Sequence, residues 1–113
     1  MPGGLFALVP HPETPPGQVD GITCSLTFAD AGNWSIGFTV APNQSLALPE
    51  PVLPRREDGL WQRTCFELFV RDARSEAYLE FNFSPSGCWA AYAFEGYRAG
   101  QRDLAINPIS ITS

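Results

Sequence analysis

Between Leu60 and Tyr97 the chain alternates apolar and polar residues with a period of two, over three runs separated by short turn segments. That period belongs to half-buried β-strands rather than helices. It predicts strands near Arg63–Val70, Ala77–Phe83 and Cys88–Phe94. Upstream, Ile22, Cys24, Leu26 and Phe28 alternate with polar neighbours, and Trp34, Ile36, Phe38 and Val40 do the same after the Asp/Gly/Asn-bearing segment Ala29–Asn33. Two such runs around a turn-forming loop predict a hairpin with one side on a core and one toward water. Leu5–Val9 is a short apolar run, Pro10–Gly17 is extended or loop, and Ala41–Gly59 has no periodicity and reads as a long loop. A last strand is expected near Leu104–Thr112, interrupted by Pro108. No segment carries the pattern of an ordinary helix. The prediction is an all-β, antiparallel sandwich forming one domain over residues 1–113. The alternation running out to Thr112 adds the expectation that C-terminal strands are missing.

The turn Arg71–Glu76 sets how the central strands pair, and opposed residues share a face. Pairing Val70 with Ala77 places Leu68 against Leu79 and Phe66 against Phe81 on one side. The other side then opposes Phe69 to Tyr78, Glu67 to Glu80 and Cys65 to Asn82. A slip of one residue would set phenylalanine against glutamate throughout, at a prohibitive burial cost. A slip of two keeps both faces and makes the glutamates diagonal neighbours. With Ser84–Gly87 as the next connection, Phe83 pairs with Cys88, which brings Trp89 beside Asn82 and Ala91 beside Glu80.

Composition narrows the function. A formal net charge of −5, with all seven basic residues arginine, argues against nucleic acid or an anionic membrane as a partner. No run approaches transmembrane length, and the N-terminus lacks a signal-peptide pattern, so the expected location is cytoplasmic. Three cysteines (Cys24, Cys65, Cys88), without paired spacing, fit reduced and buried thiols rather than zinc or disulfides. His11 is the only histidine and Met1 the only methionine, which leaves no Ser/His/Asp set and no Met/His haem site. No cofactor, metal or catalytic residue is expected.

Carboxylates, an amide and an aromatic ring on one sheet face are the groups that bind sugars, the ring stacking on C–H faces and the polar groups meeting hydroxyls. Glu67, Glu80, Asn82 and Trp89, joined by Trp61, Gln62 and Arg98, supply those types. Trp89 as core and the glutamates as solvated strand positions is the alternative for each residue taken singly. Two like charges directly opposed are unfavourable, so an arginine, a cation, a shared proton or a ligand should compensate. Carboxylates on neighbouring strands could also fall near the roughly 5 Å separation of retaining glycosidases.

The run Leu60-Trp61, Cys65-Phe66-Glu67-Leu68-Phe69 and Tyr78-Leu79-Glu80-Phe81-Asn82-Phe83-Ser84-Pro85-Ser86-Gly87, followed by Trp89, resembles the DOMON-like superfamily. Within it the run is similar to a small bacterial branch related to family 9 carbohydrate-binding modules. Some members of that branch carry the label of UDP-N-acetylenolpyruvoylglucosamine reductase, an activity not expected here. The resemblance implies a β-sandwich whose concave sheet face binds a sugar or, in other branches, haem. It also implies a clamp of two tryptophans, for which Trp61 and Trp89 are the candidates by position. The expected function is a non-catalytic module binding a small molecule, first of all a carbohydrate. Two rivals stay open: a structural or interaction module forming a homodimer through exposed strand edges, and a glycosidase using Glu67 and Glu80.

Overall fold

The computed structural model describes residues 3–10, 12–13, 19–29, 33–41 and 47–112. His11, most of the Pro-rich stretch, the centre of the Ala29–Asn33 loop and the start of the long loop lie outside the described residues. The described chain is all-β and antiparallel, with one three-stranded and one four-stranded sheet, the composition a β-sandwich needs. It divides into two compact units, residues 1–46 and 47–113.

The first unit holds β1 (Gly3–Ala7), β2 (Gly21–Phe28) and β3 (Trp34–Ala41), ordered β1-β2-β3. The predicted hairpin is β2–β3, in a register that pairs Cys24 with Phe38 and Leu26 with Ile36. Alternation determines its faces: Ile22, Cys24, Leu26 and Phe28 lose more solvent than Ser25 and Thr27. The Phe28 and Trp34 rings close its loop end edge-to-face at 5.1 Å. The short apolar run at the N-terminus supplies the third strand, with Phe6 opposite Cys24.

The second unit holds β4 (Phe66–Arg71), β5 (Tyr78–Phe83), β6 (Trp89–Phe94) and the two-residue β7 (Arg102–Asp103), in that spatial order. Leu60–Gln62 forms a 3-10 turn, the only helical element among the described residues. The last predicted strand is corrected: β7 ends at Asp103, the Leu104 N–H donates once more to Ala91 O (2.9 Å), and residues 104–112 form no strand.

Two turns determine the registers. Asp72 starts the first, accepting from the Arg74 and Ser75 backbone N–H groups, at its side chain (2.9 Å) and its carbonyl (3.0 Å) respectively. Arg71 is thereby left in the ladder opposite Tyr78, so Glu67 faces Asn82 and Phe69 faces Glu80. The expected Glu67–Glu80 opposition is replaced by the two-residue slip, which moves the like charges from directly opposed to diagonal. The second turn is tighter than expected. Gly87 N–H donates to Ser84 O (3.0 Å) and Ser84 N–H to Cys88 O (2.9 Å), with Gly87 at φ 103°. This is a three-residue loop with a glycine bulge. Phe83 consequently pairs with Trp89 rather than Cys88, and every β6 side chain changes face relative to the expectation.

On the first face of this sheet the rows are Glu67–Asn82–Ala90, Phe69–Glu80–Tyr92–Asp103 and Arg71–Tyr78–Phe94. The second carries Phe66–Phe83–Trp89, Leu68–Phe81–Ala91 and Val70–Leu79–Ala93–Arg102. Five of the six β6 residues are buried. Leu60 packs onto the first face in a cluster with Cys88, Ala90 and Tyr92, and Cys65 and Phe94 border it.

The open edge of β6 is covered by the long loop. Residues 55–57 run parallel to its start, with Trp89 N–H donating to Arg55 O and Glu57 N–H to Trp89 O. Arg56 projects from this strip across the second face. Its guanidinium lies over the Trp89 ring at 4.7 Å, donates through Nη1 to Ala91 O at 2.9 Å, and donates through Nη2 to Leu104 O. One side chain thus joins the strip, β6 and the segment after β7. Replacing it with alanine forfeits two charge-assisted hydrogen bonds and a cation–π contact, and should lower unfolding free energy by roughly 2–4 kcal/mol. Urea unfolding of Arg56→Ala checks this, and Arg56→Lys should recover less than half because the ammonium lacks the planar fork.

Candidate functional site

The polar cluster lies on the first face of the second sheet, and β4 and β5 build it. Glu67 and Asn82 stand directly opposite each other, and Glu80 is two residues from Asn82 along β5. Glu67 is exposed, Glu80 half-buried and Asn82 only 1% exposed. The Asn82 amide bonds the Glu80 carboxylate, which favours its charged form. Loss of hydration opposes this more strongly, and the Glu67 charge adds to it, so the Glu80 carboxyl is held above the ordinary glutamate value. The carbonyl oxygen of Asn82 is buried and has no hydrogen-bond donor. A buried acceptor left unpaired costs about 1–3 kcal/mol, and most native ones have a partner.

The surroundings of the cluster are apolar on one side and acidic on the other. Phe69, opposite Glu80 and two residues on from Glu67, keeps 55% of its surface exposed. Its ring lies 6.2 Å from that of Tyr78, which stacks on Phe94 at 4.7 Å. On the other side of Glu80, the buried Tyr92 donates its hydroxyl to Asp58 Oδ1 at 2.6 Å. Burial raises the Tyr92 phenol, and the carboxylates of Asp58, Asp103 and Glu80 raise it further. Cys65, two residues before Glu67, has its thiol pushed up to about 11 by burial and then by the Glu67 charge. That leaves it protonated at neutral pH and a poor nucleophile.

The structure therefore brings together three of the seven proposed ligand-binding residues, Glu67, Glu80 and Asn82. Arg98 is placed at the margin: its backbone N–H donates to the Tyr78 hydroxyl (3.3 Å), and its guanidinium lies over Tyr97 at 5.1 Å. Trp61 and Gln62 belong to the 3-10 turn whose Leu60 packs on this face, and Trp61 is 65% exposed. Trp89 is the correction. The bulge at Gly87 places it on the opposite face, 5% exposed and under Arg56, so it takes no part in this cluster. Ala91 and Ala93 move with it, and the small residue beside Asn82 is Ala90. Sequence reasoning left Tyr92 out of the site. Tyr92 could have been found only by locating the bulge, since β6 is apolar in both alternations.

Among the described residues the ion pairs are Arg55–Glu57 and Arg74–Asp72, and neither touches the cluster. No group of three or more metal-ligating side chains occurs among the described residues, and no helix there is long and apolar enough to cross a membrane. In comparisons with known proteins, the chain matches no family model, no curated protein and no solved structure.

A glutamate whose folded-state value lies above its unfolded one binds its proton more tightly in the native protein. Its contribution is present below the unfolded value and lost as pH rises through the folded one. Wild type should therefore lose stability relative to Glu80→Gln as pH rises through the range just above the ordinary glutamate value, and the variant should be the more stable at pH 7. Thermal melts of both proteins between pH 4 and 7 check this.

Proposed function

We propose that the second unit is a non-catalytic binding module for a small, hydroxyl-rich ligand, foremost a carbohydrate, which docks on the face carrying Glu67, Glu80 and Asn82. The observation that carries this reading is the donor deficit of the cluster. Two carboxylates on adjacent strands and a buried amide carbonyl offer acceptors, and no arginine of the described chain is paired with them. Hydroxyl groups are donors, and a sugar ring also presents C–H faces suited to an exposed aromatic. Phe69 supplies such a ring within the cluster, and Trp61 supplies a second beside Leu60. This replaces the Trp61–Trp89 clamp implied by the family resemblance, because Trp89 is covered on the other face.

One feature favours binding over glycoside hydrolysis. Glu67 is exposed, so one of the two carboxylates a glycosidase would use is held in water rather than in an enclosed site.

A thermal-shift screen of the full chain against mono- and oligosaccharides at millimolar concentration tests the reading. A ligand at 100 times its dissociation constant should stabilise the fold by about 2.7 kcal/mol. Asn82→Ala and Glu80→Gln should abolish the shift. Trp61→Phe should remove any accompanying fluorescence change while Trp34 and Trp89 remain. If no saccharide shifts the melting temperature, the reading fails.

A further inference from the structure

The charges of the cluster specify more than hydroxyl donors. Glu67 and Glu80 are diagonal neighbours, a placement that leaves roughly 7–8 Å between strand positions, close enough for one small group to meet both carboxylates. Phe69 stands opposite Glu80 and two residues from Glu67 on the same face, and more than half of its surface is open. Asp103 continues the Glu80 row beyond Tyr92, and Asp58 reaches the Tyr92 hydroxyl. Arg71 stands on this face in the next row, opposite Tyr78 and diagonal to Glu80, and the Arg98 backbone bonds the Tyr78 hydroxyl. Neither is paired with a glutamate of the cluster. Between the two glutamates in the register, the Asn82 side-chain carbonyl lacks a donor although the residue is 1% exposed.

We propose that this face recognises an ammonium group, held by the Glu67 and Glu80 carboxylates against the Phe69 ring. Taken with the reading above, on which it rests for the rest of the ligand, this makes the ligand an amino sugar. A hydroxyl brings one donor and no charge. An ammonium brings three donors and no acceptor, and its charge offsets the repulsion between the glutamates. An aromatic face within about 6 Å of a cation adds attraction that no neutral sugar gains.

Calorimetric titration of the full chain with a matched pair, the glucosamine trimer and cellotriose, tests this, with putrescine as a cation lacking any sugar. The glucosamine trimer should bind about ten-fold or more tightly than cellotriose. Glu67→Gln and Glu80→Gln should each remove that preference while circular dichroism stays native. Glu50→Gln, which makes the same charge change at an exposed position far along the chain, should retain it, excluding general attraction to an acidic protein. Equal binding of the two trimers would overturn the ammonium proposal and leave the saccharide reading standing. Putrescine binding that depends on Glu67 and Glu80, with no gain from the sugar ring, would uphold the ammonium site and remove the saccharide reading. A preference that survives both glutamate substitutions, or binding of none of the three, would overturn the proposal.

Discussion

The hydrogen bond from Gly87 N–H to Ser84 O, closed with Gly87 in the left-handed region, determines the arrangement of the second unit. It makes the β5–β6 connection one residue shorter than a four-residue loop, and a change of one residue in a strand transfers every side chain to the other face. Ser84 is buried and its hydroxyl accepts from Ser86 N–H (3.1 Å), while the Ser86 hydroxyl accepts from Cys88 N–H (3.3 Å). The turn is thus held by side chains as well as by backbone. A β-carbon at position 87 would meet the Val52 carbonyl at 3.5 Å, ordinary contact, so the glycine is required by its backbone angle and not by lack of space.

From that register follows the division of labour between the two faces. Trp89 goes to the face of Phe66 and Phe83, where Arg56 can cover it and at the same time reach two carbonyl oxygens. Tyr92 goes to the face of Glu80, where its hydroxyl finds Asp58. Had the indole stood beside Asn82, the guanidinium would have had no ring to cover, and the phenol would have faced the Phe81 side with its hydroxyl needing another partner. Each side chain meets its complement only in the observed register, a mutual consistency expected of a sequence that specifies one structure.

Much of this was legible beforehand. In β2, β3, β4 and β5 the apolar residues fall on one alternation and mixed or polar ones on the other, and both hairpins and the composition of the Glu67–Glu80–Asn82 face followed from that contrast. The exact β4–β5 register did not, because pairings two residues apart preserve both faces; the choice belonged to Asp72, whose side chain and carbonyl anchor the turn. β6 was opaque for a different reason. Trp89, Ala91 and Ala93 on one alternation are as apolar as Ala90, Tyr92 and Phe94 on the other, so a strand buried on both faces carries no record of its own phase. Only the turn chemistry of Ser84–Gly87 held that information. The short β7 and the strandless segment after it were likewise out of reach, since Ile109–Thr112 alternates without having a strand to pair with.

The polar face is costly by the same physics that makes the rest of the sheet stable. An apolar pair in place of Glu80 and Asn82 would bury similar surface without an unpaired carbonyl and without two carboxylates repelling across the strands. The slip that turns Glu67 and Glu80 from opposed into diagonal neighbours lessens the repulsion and leaves some of it, which adds to loss of hydration, the larger cause, in raising the Glu80 carboxyl. No ion pair relieves it: Arg71, on the same face and opposite Tyr78, is not paired with either glutamate, and Arg56 is on the other face. What the cluster lacks is a paired donor with positive charge: no arginine among the described residues forms an ion pair with Glu67 or Glu80. On the reading proposed above, a ligand whose hydrogen bonds and charge meet those of Glu67, Glu80 and Asn82 is the complement that the cluster lacks.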